Sequence, residues 1–194
     1  RGLGDVYKRQ NSMVHQVYQD RDGYIWIPTF YGLFRYDGYE VRTYKSNLYT
    51  PGLLVNNNVL CVEEDYSHRL WIGTHEGLCM LDKRTGKMKK LQLDGVSKQR
   101  LNEIHVTKEN RVYLGYIRGM AYYDEMQDTL ALMTRKNCRG DVPESVNIQT
   151  LFEDVNGDLL IGTWKDGLYR YCIKENIFLH YPPCLLYTSD AADE

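Results

Sequence analysis

Amide, charged and aromatic side chains recur in the short polar segments of this chain, and together they could bind a hydroxyl-rich ligand. Amides donate and accept hydrogen bonds, charged groups bind hydroxyls, and aromatic rings stack on the apolar faces of sugars. The candidate ligand-binding residues are Tyr31, Asn57, His75, Glu76, Asn102, Arg118, Asn147, Trp164, Lys165 and Asp166. Any one of them could instead be an ordinary loop residue that caps a strand.

Patterns for catalysis or metal binding are weaker. The sequence contains no Gly-x-Ser-x-Gly elbow and no phosphate-binding loop, and its five histidines lack metal-ligand spacing. Residues 20–23 and 154–158 resemble calcium loops only faintly, because neither has a glutamate at the twelfth position. The carboxylates at 63–65 would need a facing partner at a defined separation for glycosidase chemistry. We therefore predict no catalytic residue, no metal and no cofactor in this segment.

The charge balance argues against one class of partner. The chain has 24 Lys and Arg residues and 26 Asp and Glu residues, a formal net charge of −2. A near-neutral chain lacks the basic surface of a nucleic-acid-binding protein. We therefore expect no contact with nucleic acid.

The two ends of the chain look like translated sequencing adapter. Residues 5–10 and 184–188 can be encoded by the two strands of one inverted DNA element. We therefore assign residues 1–10 and 184–194 to adapter-derived tails and exclude them from the fold. The native segment is then 11–183.

A motif that recurs four times determines the expected architecture of this segment. Its anchor residues are Trp26, Trp71, Tyr113 and Leu160, which lie 45, 42 and 47 residues apart. A period in this range is typical of repeat folds. The absence of sustained helical periodicity and the glycines in every repeat argue against helical repeats.

Each repeat reads as four short strands. In the second repeat, apolar runs near 58–65, 69–74, 78–82 and 87–91 are separated by polar turns. Four hairpin-linked strands in 42–47 residues fit a propeller blade. We predict an all-β fold, a β-propeller fragment of four-stranded antiparallel blades at about 11–55, 56–100, 101–145 and 146–183. A closed ring of four is the alternative to an incomplete ring of a larger propeller.

Propeller geometry places the anchors and the candidate ligand-binding residues. We expect each anchor to act as a wedge between neighbouring blades. A glycine precedes the third strand of each repeat, at Gly32, Gly77, Gly119 and Gly167, where a turn needs a positive φ. The loop that enters the first strand and the loop between the second and third strands should emerge on one face. This geometry predicts that the candidate residues share one rim.

Four cysteines lie in the native segment, and they show no CxxC spacing that would indicate zinc. Cys61 and Cys79 belong to one repeat and could be neighbours on adjacent strands. We favour free buried cysteines over a disulfide.

The repeat resembles the two-component regulator propeller repeat. The family pattern joins a first strand that ends in Glu/Asp-Asp to Gly-x-Leu/Ile-Trp-Ile-Gly-Thr and then to Gly-Leu-x-x-Tyr. It is represented here by residues 152–163 and 167–171 and by the corresponding segments of the other repeats. The match covers most of residues 12–181. Pro28 replaces the motif glycine in the first repeat, and Tyr113 and Leu160 replace the tryptophan in the third and fourth.

This resemblance implies a location and a set of partners. It implies the extracytoplasmic sensor region of a membrane-bound hybrid histidine kinase, that is, the periplasmic part of an inner-membrane protein. The implied partners are an oligosaccharide ligand, the remaining propeller blades, the downstream sensor domains of the same chain and a second copy in a homodimer. The segment itself would not be an enzyme.

Two other functions stay open at the level of sequence. A propeller enzyme that acts on polysaccharide, a lyase or a glycosidase, would need a His/Tyr/Arg or paired-carboxylate site in the channel. A protein-interaction scaffold would use the same rim without binding sugar.

Overall fold

The computed structural model describes residues 13–46, 54–93 and 99–183. The predicted adapter-derived tails, 1–10 and 184–194, lie outside the described residues. Throughout the described ranges the regular structure is β-strand, and the strands form four separate sheets. The predicted all-β propeller architecture is confirmed.

Three of the sheets are four-stranded antiparallel meanders, which we call the first, second and third blades. The first blade contains β1 (Tyr18–Gln19), β2 (Ile25–Thr29), β3 (Gly32–Tyr36) and β4 (Val41–Tyr44). The second contains β5 (Val59–Glu64), β6 (Arg69–Thr74), β7 (Gly77–Asp82) and β8 (Met88–Leu91). The third contains β9 (Leu101–Val106), β10 (Val112–Tyr116), β11 (Gly119–Asp124) and β12 (Thr129–Leu132).

The fourth blade has the same meander and one additional edge strand. Its strands are β13 (Arg139–Gly140), β14 (Ile148–Glu153), β15 (Leu159–Thr163), β16 (Leu168–Cys172) and β17 (Ile177–Tyr181). The short β13 comes from the connection between the third and fourth blades and pairs in parallel with β17. Strands β5, β9 and β14 pack against one another between blades, so the first strand of each meander is the innermost.

An aspartate at the end of the first strand organises the following turn in three blades. Asp65 Oδ1 accepts hydrogen bonds from the backbone N–H groups of Ser67 and Arg69, at 2.8 and 3.0 Å. Asp20 and Asp154 hold the same turn in the first and fourth blades. Side chains that cap backbone donors in this way favour tight turns. The acidic strand end of the motif is therefore a structural element.

Three apolar clusters fill the seams, by which we mean the interfaces between consecutive blades. Trp26 packs with Val59 and Ile72 of the second blade. Trp71 packs in the same way against the third blade, and Tyr113 against the fourth. All three anchors are buried, as the wedge interpretation predicts. Leu160 is only partly buried, because no described blade follows the fourth.

The four blades form an open arc. The outward faces of the two terminal blades carry exposed apolar side chains, such as Val17 at 66% and Phe152 at 61% exposure. The described residues include no helix long and apolar enough to cross a membrane.

The four cysteines of the described residues are free, as predicted; Cys61, Cys79 and Cys138 are buried, whereas Cys172 is only partly buried. The suggestion that Cys61 and Cys79 lie on adjacent strands is wrong, because β6 separates β5 from β7. Cys61 faces the cluster between the second and third blades, whereas Cys79 faces the cluster between the first and second. The two thiols therefore lie on opposite faces of one sheet.

Candidate functional site

One backbone hydrogen bond recurs in every blade and defines a continuous rim. The N–H of the residue that follows the second strand donates to the carbonyl of the residue that enters the first strand. The four bonds are Phe30 to Met13 (3.2 Å), His75 to Asn58 (2.9 Å), Ile117 to Arg100 (3.3 Å) and Trp164 to Asn147 (3.0 Å). The two sets of loops therefore emerge together, as the propeller geometry predicts. We call these loops of the four blades the loop rim.

Two candidate residues of neighbouring blades contact each other directly on the loop rim. Asn102 Nδ2 donates to Asn147 Oδ1 at 3.0 Å and to the Ile148 carbonyl at 2.7 Å. Asn102 Oδ1 is buried without a hydrogen-bond partner within the described part of the chain. His15 and Asn58 occupy the equivalent positions at the first seam and also lie within hydrogen-bond distance, 3.2 Å. Polar side chains at these two repeat positions therefore link neighbouring blades and also lie on the loop rim.

Gln149 belongs to the same network, although it was not among the sequence candidates. Its Nε2 donates to Asn147 Oδ1 at 2.8 Å, and the side chain is exposed. Gln149 occupies the repeat position of Asn102, two residues after the entry residue. Alignment of the repeats at this position could have identified it.

Two candidates in the second blade also have structural contacts. Asn57 Oδ1 accepts a 2.7 Å hydrogen bond from the backbone N–H of Ser46, which ties the end of the first blade to the entry of the second. His75 is exposed at the turn, and the Glu76 N–H donates to Thr74 Oγ1 at 3.2 Å. The second-blade part of the rim is thus partly held in place by strand-capping bonds.

The aromatic candidates of the loop rim are exposed to solvent. Trp164 is 66% exposed and Tyr31 42% exposed. The charged candidates Arg118, Lys165 and Asp166 are exposed as well. The Asp166 carbonyl lies 2.6 Å from His180 Nε2, which fixes this loop to β17. An exposed indole beside both signs of charge offers a stacking surface and hydrogen-bonding groups.

Partly buried carboxyl groups on the inner strands add an unusual electrostatic feature. Burial raises the pKa of Glu63 to about 8, despite a hydrogen bond from the Val106 backbone, and raises that of Glu103 to about 7. Burial also lowers the pKa of His105. Near neutral pH the Glu63 carboxyl is therefore largely protonated and that of Glu103 is about half protonated, so both can donate as well as accept hydrogen bonds.

One group of potential metal ligands occurs in the described residues. Asp158, Cys172 and Glu175 offer ligand atoms within 4.8 Å of one another. Asp158 Oδ2 already accepts hydrogen bonds from Arg170 at 2.7 and 3.0 Å. This ion pair accounts for the carboxylate without a metal ion.

Comparison with known families supports the repeat assignment. Residues 53–76 match the model of the family described as "Two component regulator propeller". The resemblance predicted from the motif is thereby confirmed, in the second repeat. A search of curated proteins for relatives in sequence returned no match.

Solved structures of several kinds of protein show the same fold, among them sensor domains and an enzyme. The extracellular domain named for the hybrid two component system BT3049 of B. thetaiotaomicron matches with a TM-score of 0.75 at 21% identity, over 93% of this chain and 26% of that one. That of BT4673 of the same organism matches at 0.57 and 19%, over 91% and 34%. Virginiamycin B lyase of Staphylococcus aureus matches at 0.70 and 12%, over 90% and 57%. The chain thus spans about a quarter to a third of the length of the two sensor domains.

Proposed function

We propose that this chain is a ligand-sensing propeller segment of the extracytoplasmic region of a membrane-bound hybrid two-component sensor. Its ligand is an oligosaccharide, and the site lies on the loop rim. The complete protein contains further blades, membrane-proximal sensor domains and a cytoplasmic kinase, and it acts as a homodimer. The two-component regulator propeller repeat at 53–76 and the likeness to extracellular sensor domains support this proposal.

The observation that carries the site is the recurring rim hydrogen bond. It brings the entry loops and the second-to-third-strand loops of all four blades to one end. Exposed aromatic, amide and charged groups are then presented by a β-scaffold rather than by long free loops. A sugar could stack on Trp164 while Arg118 and the Asn147 amide bind its hydroxyls. Signalling follows if the ligand binds one arrangement of the propeller and its neighbouring domains more tightly than another.

The test is a binding screen of the whole chain against arrayed oligosaccharides, followed by titration calorimetry with each oligosaccharide that binds. We expect Trp164→Ala and Arg118→Ala each to weaken binding at least tenfold. Tyr39→Ala is the matched control, because Tyr39 is 96% exposed in the turn after β3, at the opposite end of the blade. Equal affinity in both rim variants and the wild type would remove the loop rim as the site.

Experiments with the same purified chain also distinguish the two alternative functions, an enzyme and a protein-interaction scaffold. Polysaccharide shortened by the purified chain would favour a propeller enzyme. Capture of a protein through the rim with no oligosaccharide bound would favour a scaffold. Either result contradicts the sensor assignment.

A further inference from the structure

The first two seams are sealed by the same set of interactions. At each seam a buried tryptophan donates to the aspartate that ends the first strand, Trp26 to Asp20 at 2.7 Å and Trp71 to Asp65 at 2.9 Å. At the first seam Lys83 of the second blade reaches back to Asp20 at 2.8 Å. The first seam is thus filled by a tryptophan ring, the aspartate that accepts its hydrogen bond and an ion pair between the two blades.

At the second seam the ion pair has reversed polarity. Glu125 of the third blade lies 3.2 Å from Arg69 of the second. Glu125 and Lys83 occupy one repeat position, the first residue after the third strand. A residue of either charge at this repeat position can therefore form an ion pair across a seam.

All three elements are replaced at the third seam. Tyr113 occupies the tryptophan position, Thr107 the aspartate position and Ile173 the position of Lys83 and Glu125. Tyr113 is smaller than tryptophan and has no carboxylate to bind. Ile173 cannot form an ion pair across the seam. Arg111, the counterpart of Arg69, instead lies 3.6 Å from Glu109 of its own turn.

A cleft of about 720 Å³ lies at this third seam. Its walls include Glu109, Arg111, Tyr113, Tyr122, Tyr171 and Asn176. Glu109, Arg111 and Asn176 come from turns after first and third strands, and the three tyrosines come from the adjoining strands. The cleft therefore lies towards the end of the blades opposite the loop rim. We call it the seam cleft. Its volume falls within the range of small-molecule sites, about 300–1,000 Å³.

The charges in the seam cleft are already compensated. Glu109 pairs with Arg111, and Glu125 pairs with Arg69. Asp124 Oδ1 accepts hydrogen bonds from two backbone N–H groups of its own turn. The lining therefore presents no unpaired carboxylate that would call for a cationic ligand. Tyr113 and Tyr171 are buried, and the Tyr171 hydroxyl donates to Asn176 Oδ1 at 2.9 Å. The partly buried Tyr122 ring and the exposed Glu109–Arg111 pair are left to contact a ligand.

We propose that the seam cleft is a second binding site, for one neutral sugar ring. The Tyr122 ring provides apolar surface, and its hydroxyl together with the Glu109–Arg111 pair provides donors and acceptors for sugar hydroxyls. This site differs in place and in residues from the loop rim. It would allow one propeller to bind a glycan at both of its faces, or two separate ligands.

The experiment uses the whole chain and saturation-transfer NMR with the methyl glycosides of glucose, galactose and mannose. The double substitution Thr107→Asp and Tyr113→Trp rebuilds the sealed pattern of the first two seams. The substitution Tyr122→Ala removes the partly buried ring and its hydroxyl from the wall of the seam cleft. Tyr39→Ala, at an exposed turn of the first blade, is the control. Trp164→Ala reports binding at the loop rim, and tetramethylammonium is the cationic probe.

We expect at least one glycoside to bind the wild type, and both cleft variants to lose at least tenfold in affinity while Tyr39→Ala binds normally. Retained binding in the rebuilt variant, or no glycoside signal in the wild type, overturns the proposal. Tetramethylammonium binding in the seam cleft without glycoside binding also overturns it. Loss of binding only in Trp164→Ala supports the loop rim and eliminates the seam cleft, so the two proposals fail separately.

Discussion

Trp71 Nε1 donates a 2.9 Å hydrogen bond to Asp65 Oδ2, six residues earlier in the chain. The same carboxylate caps its own turn and accepts a 2.6 Å bond from Arg69 Nε. Asp65 and Trp71 therefore join the local turn of one blade to the seam with the next. The first blade repeats this relationship with Asp20 and Trp26.

Truncation of the buried anchor should destabilise the protein strongly. We expect Trp71→Ala to lower the unfolding free energy by about 3–5 kcal/mol, because it leaves a cavity at a packed seam and an aspartate without its indole donor. The measurement is the chemical-denaturation midpoint. Leu160→Ala is the matched comparison at the uncovered terminal face and should cost less than about 2 kcal/mol. Equal costs at the two positions would contradict the wedge role.

Removal of the Lys83 ammonium should leave buried carboxylates without a partner. Lys83 Nζ lies 2.8 Å from Asp20, 2.6 Å from Asp22 and 2.9 Å from Glu64. Burial opposes its charge, but the hydrogen bonds to these carboxylates prevail and raise its pKa above the usual value. We expect Lys83→Met to cost about 3–5 kcal/mol, because Asp20 and Glu64 are buried.

The control for this cluster is its exposed member. Asp22 is 48% exposed at the side chain, and Asp22→Asn should cost less than about 1 kcal/mol. Thermal and urea denaturation of both variants would measure the difference. A Lys83→Met protein as stable as the wild type would show that the cluster does not hold the first seam together.

Glu63 should make the protein less stable as pH rises. Burial raises its folded pKa from 4.5 to about 8, so between these values the folded state binds more protons than the unfolded state. The unfolding free energy contributed by this group therefore falls as pH rises from about 5 to about 9.

Substitution of Glu63 isolates this contribution. We expect Glu63→Gln to show a smaller loss of stability than the wild type between pH 5 and pH 9, measured by urea denaturation. Glu40→Gln, at an exposed turn position, should leave the wild-type slope unchanged. A slope in Glu63→Gln as steep as that of the wild type would contradict burial of this carboxyl.

Gly73 of the Ile-Gly-Thr motif should not tolerate alanine. A methyl group there would lie 2.5 Å from Cys61 Sγ and 2.9 Å from Leu101 Cδ2 of the next blade. We expect Gly73→Ala to cost about 1–3 kcal/mol through overpacking, measured by thermal denaturation. The additional variant Cys61→Ala, which removes the closest atom, should recover part of that loss. No recovery would indicate that the strain arises elsewhere.

Much of the fold was predictable because its signals are local. The 42–47-residue period, the alternating apolar runs and the turn glycines all follow from short segments of sequence. The turn glycines before the third strands indeed have positive φ values, from 77° at Gly167 to 140° at Gly77. The shared rim also followed, since it depends only on strand order within a blade.

The contacts between blades were not predictable from these segments. The carboxylates around Lys83 come from two different blades, and the pKa values of Glu63 and Glu103 depend on how deeply the seam buries them. The seam cleft coincides with three departures from the pattern of the first two seams, at Thr107, Tyr113 and Ile173. Ile173 belongs to a different blade from the other two, and only the packed interface shows that they meet at one seam.

The pairing of β13 with β17 closes the outer margin of the fourth blade. Arg139 and Asp141 donate to the carbonyls of Asn176 and Phe178, each at 3.0 Å, and Leu93 forms a similar parallel bridge to Leu130 in the third blade. Connecting segments thus occupy hydrogen-bonding positions that an intruding strand would otherwise use. The molecule is thereby protected at these two margins against sheet-to-sheet polymerisation, so contacts that assemble it further are directed to its blade faces and loops.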